Sequence, residues 1–280
     1  NEGMVNFADV ERMTSVLIIK GVTKALPGEK PEKIGFTLNI TGQSDNSDKK
    51  SAKTDSIWKV DMSIDDQNGL AELAVKTLDK KIFLNVNKFE VGGEAGNALK
   101  TQLAPMLNNW WVIPMGEDNI LGKFAEEQSK LKEIFSQTQF FASATEDGEE
   151  EINGMKTAKY RVEIDKQALK KFFLEFASVA DNKLTPEEEV AMDESLKEVD
   201  FSGVVWVGDD DIIHKVKGTV TSQPKQGPVS SFEVDYTAWD FDKDISIAAP
   251  DGAKDFNPLM LLPLIGAFGA QDQAAENVLE

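Results

Sequence analysis

Over residues 34 to 41 the side chains alternate without a break. Ile34, Phe36, Leu38 and Ile40 are apolar, and Gly35, Thr37, Asn39 and Thr41 are small or polar. A period of two suits a strand with one greasy face and one wet face. The pattern recurs: Trp58, Val60, Met62 and Ile64 alternate with Lys59, Asp61 and Ser63, and Tyr160, Val162 and Ile164 alternate with Arg161 and Glu163. A chain with several such segments gathers its greasy faces on one side, which points to an antiparallel sheet with one face on the core.

Turn signals order the strands. Asp79-Lys80 separates 70–78 from 81–88 as a tight hairpin, and Asp66 to Gly69 reads as another turn. Asn153-Gly154, with an acidic stretch before it, separates 140–145 from 156–164. Three more strands are expected at 201–207, 212–221 and 229–238, and a short one at 245–248. Phe7, Val10 and Met13 are spaced as one helical face, ahead of a first strand at 16–22. Residues 43–54 read as a polar loop, and the glycines in 91–97 as a mobile one. Ile120, Leu121, Phe124, Leu131, Ile134 and Phe135 mark an amphipathic helix over 117–136. Leu169, Phe172, Phe173, Phe176, Ala177 and Ala180 mark a second. Thr185-Pro186-Glu187-Glu188 is a capping box with proline at the first helical position, opening a third helix that runs to about residue 198.

The order is strands, helix, strands, helices, strands. It predicts an α+β fold: a curved antiparallel sheet forming an unclosed β-barrel, with helices packed on the concave side. No Pro/Ser-rich linker divides the chain. It reads as one domain over 1–280, with a tail over 251–280 that is irregular, first apolar and then polar.

Composition narrows the function. The net charge of −19 repels phosphate backbones, so no nucleic-acid partner is expected. The absence of Cys excludes a disulfide scaffold, a thiolate zinc site and a Cys nucleophile. No stretch reaches the roughly 20 apolar residues of a membrane span. The run over 15–19 is too short for a signal peptide. His214, the only histidine, lies in a predicted strand without a second His and reads as structural. Asp209-Asp210-Asp211 follows Gly208 between two strands and reads as a turn, since EF-hand spacing is missing. No nucleotide-binding loop, nucleophile elbow or zinc-protease motif is present. The chain therefore reads as a binding protein without cofactor, metal or catalytic residues.

Several stretches, taken together, resemble one family. They are Met13-Thr14-Ser15-Val16; Gly154-Met155-Lys156-Thr157-Ala158-Lys159-Tyr160 with Val162 and Ile164; Gly203-Val204-Val205-Trp206-Val207-Gly208 before Ile212; and 241–247 followed by Ala249-Pro250-Asp251-Gly252-Ala253. This order is similar to the bacterial lipoproteins related to LppX and LprG, and more distantly to the LolA and LolB carriers. The resemblance implies an unclosed barrel whose hydrophobic cavity holds lipid or acyl chains. It also implies export, to the periplasm or the outer face of the cell membrane, and usually a lipid anchor on an N-terminal Cys. That Cys is absent, so either the sequence begins after it or this member is not lipidated. The expected partners are a lipid or acyl-chain ligand and a possible envelope protein. Membrane contact would come only through such an anchor, and the chain is expected to be a monomer.

The family carries over no defined site positions, so the expected cavity lining comes from the apolar faces: Phe36, Leu38, Phe124, Phe135, Leu169, Phe172, Phe173, Phe176 and Trp206. The alternative is an interaction or sensing module that uses the same fold with a filled core.

Overall fold

The computed structural model describes residues 10–26, 28, 30–48, 51–65, 67–115, 130, 134, 137–179, 184–224 and 228–257. In chain order these form β1 (Arg12–Lys24), β2 (Lys33–Asp45), β3 (Lys53–Ile64), β4 (Gln67–Leu78), β5 (Lys81–Val91), α1 (Gly93–Leu103), a 3-10 turn (Ala104–Met106) and β6 (Trp110–Pro114). The second half contains β7 (Phe141–Ile152), β8 (Met155–Ile164), α2 (Lys166–Val179), α3 (Pro186–Lys197), β9 (Val199–Gly208), β10 (Ile213–Ser222), β11 (Val229–Trp239) and β12 (Lys254–Asp255).

All twelve strands belong to one sheet, in the order β12-β6-β5-β4-β3-β2-β1-β11-β10-β9-β8-β7. Its two outermost strands, β12 and β7, do not pair, so the barrel is unclosed and the fold is α+β. Two meanders build it, β1 to β6 and β7 to β11, and they join along the antiparallel β1–β11 seam. Only β12 runs parallel to its neighbour, with Lys254 and Asp255 against Trp111 and Val112. Residues 240–253 carry the chain from the seam to the β6 edge. This strap is pinned by Asp242, whose Oδ1 accepts hydrogen bonds from the Glu11 and Arg12 amides at 2.9 and 3.1 Å.

The hairpins close where the sequence places turns. Asp79 and Lys80 both have positive φ, as do Asn153 and Gly154, the geometry of a two-residue turn that matches strand twist. Asp165 starts α2, its Oδ1 accepting from the Gln167 and Ala168 amides at 2.8 and 3.1 Å. Thr185 and Glu188 form the expected capping box on α3. The backbone and side-chain hydrogen bonds at Thr185 hold the Glu188 carboxyl below its ordinary value. That contribution to stability is present above the unfolded glutamate pKa and is lost as pH falls through the folded one. Thr185→Ala is expected to destabilise the protein by about 1 kcal/mol, read as a lower Tm. Glu188→Gln should flatten the acid limb of a Tm-against-pH profile. An unchanged limb would mean the box is not formed in solution.

Four expectations are corrected. Met13 is not helical: it lies in β1, opposite Ser44 of β2. The acidic stretch before Asn153 is not a loop, since residues 146–151 lie within β7, held in register by β8. The glycine-rich segment at 91–97 is the end of β5 and the start of α1. No strand forms at 245–248; the pairing segment comes later, at β12 inside the expected irregular tail. Strands β2 and β3 also run further into 43–54 than expected. Phe7, Ala180, most of the 117–136 helix and the tail beyond Asn257 lie outside the described residues.

Candidate functional site

Cross-strand register converts the alternation of each strand into rows that run across the sheet. One row contains Val234, Ile19, Leu38, Val60 and Ala71, and the next Tyr236, Leu17, Ile40, Trp58 and Leu73. A third contains Phe232, Gly21, Phe36, Met62 and Gly69. The opposite face is wet, with Asp235, Ile18, Asn39, Lys59 and Glu72 in one row. By this register the apolar face has no Asp, Glu, Lys or Arg on β1–β5 or β9–β11. Four rows, from that of Tyr236 to the Ile34–Ile64 pair, span about 20 Å at the usual strand rise.

Much of this face is open. Met62 and Ile64 are each 52% exposed, and Ile34, Trp58 and Phe232 are exposed too. Leu38, Ile40 and Val60 are half-buried. Phe36 lies flat over Gly21, where any Cβ would collide with its ring, and its centroid is 6.2 Å from that of Phe232.

Hydroxyl groups bound the band at both ends. Toward the strap are Ser15, Ser44, Thr54, Ser56 and Thr77. Trp58 Nε1 donates to Ser56 Oγ at 2.9 Å, and Ser56 Oγ donates to the Val75 carbonyl at 3.2 Å. The Tyr236 hydroxyl donates to Met13 Sδ at 3.5 Å. Burial starves its phenolate of water and pushes the pKa up to about 12, against a smaller opposing effect of the hydrogen bond with Ser15. Thr23 and Ser230 bridge hydroxyls at 3.0 Å at the other end.

Of the expected lining residues, Phe36 and Leu38 share this face. Trp206 does not: it sits on the wet face, paired with Lys159 and near Lys215. Both ammonium groups lie over its ring, at 5.8 and 5.3 Å, and its Nε1 donates to Glu150 Oε2 at 2.9 Å. Leu169, Phe172, Phe173 and Phe176 lie on α2. Phe172 meets Phe140, Phe173 and Phe176 at centroid distances of 5.2, 5.8 and 6.3 Å, and Phe173 and Phe176 remain exposed. Phe124 and Phe135 lie outside the described residues. The rows add Ile19, Ile40, Val60, Leu73 and Val234, which alternation alone marks as apolar without saying which strands align them.

The titratable groups build structure. His214 is 2% exposed, its Nε2 lies 3.1 Å from both Asp210 carboxylate oxygens, and Phe241 meets its ring edge-on at 4.9 Å. Asp210 also accepts from the Ile212 amide at 3.1 Å, so the pair organises the β9–β10 turn. No cluster of three or more metal-ligating side chains occurs among the described residues. A cleft of about 570 Å³ opens between α2 and α3, but charged side chains line it and the Lys170–Asp193 ion pair of 2.7 Å crosses it.

No family model matches the chain, and no curated protein matches it. Several solved structures do. LprF from Mycobacterium bovis is 15% identical, with 86% of this chain and 90% of that chain covered and a TM-score of 0.35. The lipoprotein LppX from Mycobacterium tuberculosis is 8% identical, with 86% and 91% covered and a TM-score of 0.34. A putative outer membrane lipoprotein-sorting protein domain from Vibrio parahaemolyticus is 10% identical, with 83% and 87% covered and a TM-score of 0.19. The chain is thus similar to lipoproteins of the group its sequence motifs resemble, and overlap this loose assigns it no ligand.

Proposed function

We propose that this protein is an exported binding protein that holds the acyl chains of a lipid against the apolar face of its half-barrel and performs no chemistry on them. The carrying observation is the uncharged, half-open band of rows. A filled core would bury Leu38, Ile40 and Val60 completely, and they are only half-buried. A hydrocarbon bilayer core is about 30 Å thick, or about 15 Å per leaflet, so one acyl chain fits within the length of the band. Binding would come from removing chain and wall from water, at about 25 cal/mol per Å², with no fixed charge to demand a particular headgroup. Phe36 and Leu38 form part of the wall, and the apolar face of α2, with Leu169, Phe172, Phe173 and Phe176, offers a second surface for the chain. The compartment that fits is extracytoplasmic. No described helix is long and apolar enough to cross a membrane, so attachment through helices is not required by the fold.

Native mass spectrometry of the purified protein, followed by organic extraction, tests the reading. The expected result is a bound mass that extracts as fatty acid or phospholipid. A clean apo mass that takes up no added oleate would remove the proposal and leave the interaction module.

A further inference from the structure

We infer that the end of the half-barrel carrying the β1–β2 hairpin is a docking surface for a lipid bilayer with anionic headgroups. Exposed large apolar side chains gather there. Leu26 on the hairpin loop is 42% exposed, and Ile34, Met62, Ile64, Val229 and Phe232 surround it, all exposed. The opposite end is different: the band stops at hydroxyls, and acidic turns such as Asp209-Asp210-Asp211 lie beyond it.

The loop is an ordered projection, closed by the Ala25 amide donating to the Glu32 carbonyl at 3.0 Å. Its charge runs against the rest of the molecule. Residues 20–33 contain Lys20, Lys24, Lys30 and Lys33 against Glu29 and Glu32, in a chain of net −19. Lys24 and Lys33 are direct cross-strand partners, both exposed. Like charges placed opposite each other repel, and an anionic surface beneath them turns that repulsion into attraction. Glu32, beside Lys30 at 2.5 Å, and Asp65, whose Oδ1 accepts from the Lys33 amide, are the acids on this rim. Apolar tip, lysine collar and open band are continuous, so a chain sliding past Ile34 and Ile64 enters the bilayer without crossing water. The inference takes its purpose from the acyl-chain reading, but its test does not depend on that reading.

The test is flotation of the full chain with vesicles of phosphatidylcholine containing a minority of phosphatidylglycerol. The wild type is expected to float. Leu26→Asp should weaken vesicle binding by about tenfold or more, as loss of one inserted leucine predicts, with Leu26→Ala intermediate. Lys24→Glu with Lys33→Glu should erase any preference for phosphatidylglycerol. All variants should keep the wild-type Tm and take up a fluorescent fatty acid presented as monomer. A wild type that stays off vesicles, or a Leu26→Asp variant that binds as well as wild type, would overturn the inference. So would a concentration-dependent dimer that Leu26→Asp dissolves without altering flotation, since it would give the patch to a second copy. If flotation holds while fatty-acid uptake fails, docking stands and the acyl-chain reading falls.

Discussion

Leu38→Asp is expected to leave the protein folded and without lipid, while Asn39→Asp, one residue along, changes neither. The two positions are neighbours in β2 on opposite faces. Leu38 lies between Ile19 and Val60 in the middle of the apolar band, and Asn39 lies between Ile18 and Lys59 on the wet face. A carboxylate on the band keeps its water because the face is half-open, so the sheet survives. An acyl chain laid over it would have to strip that water, and burying an unpaired charge is far costlier than the contact is favourable. Affinity for a fluorescent fatty acid should fall by about a hundredfold or more, which corresponds to about 2.7 kcal/mol. Equal affinity in both variants would mean the ligand lies elsewhere, and equal loss in both would implicate net charge rather than the face.

Gly96→Ala is expected to have the largest effect on stability of any single methyl addition described here. The first turn of α1 folds back on the end of β5 so closely that a Cβ on residue 96 would collide with the Val91 carbonyl. The obstacle is backbone, which cannot swing aside like a side chain. Overpacking of this kind costs about 2 kcal/mol, or about 5 °C in Tm for a chain of this size. Gly69→Ala is the control: its Cβ would sit 3.5 Å from a Val91 methyl, an ordinary contact. It should be neutral, or slightly stabilising through the unfolded state. If the two variants melt together, α1 does not rest on β5 in solution.

What was legible in the sequence is the part that local physics decides. The alternation at Phe36 and Leu38 put both on one face, the two-residue turns set their hairpins, and Thr185 announced α3. What was hidden depends on partners distant in the chain. Within Val204-Val205-Trp206-Val207 every residue is apolar, so no period shows which side faces the band. Only register against Lys159 and Lys215 puts Trp206 on the wet side. The acidic run at 146–151 reads as loop on composition, yet as an edge strand it needs only one partner, and its charges guard the open side. The glycines at 92, 93 and 96 look like breakers, although the missing side chain at 96 is what lets a helix start there. The site itself was half visible: individual strands declared greasy faces, but rows such as Val234, Ile19 and Leu38 exist only once the two meanders are joined.

That join sets the timetable of folding. Along the seam, Thr23 meets Ser230 across 207 residues of chain. During synthesis β1 has a neighbour on one flank as soon as β2 appears, and none on the other until β11 emerges. Contacts so far apart in sequence form slowly, and the incomplete sheet exposes Leu17 and Ile19 beside an unpaired edge in the meantime. A truncation ahead of Val229 would not yield a smaller half-barrel. It would yield two meanders with raw edges at β1 and β10, each a template for aggregation.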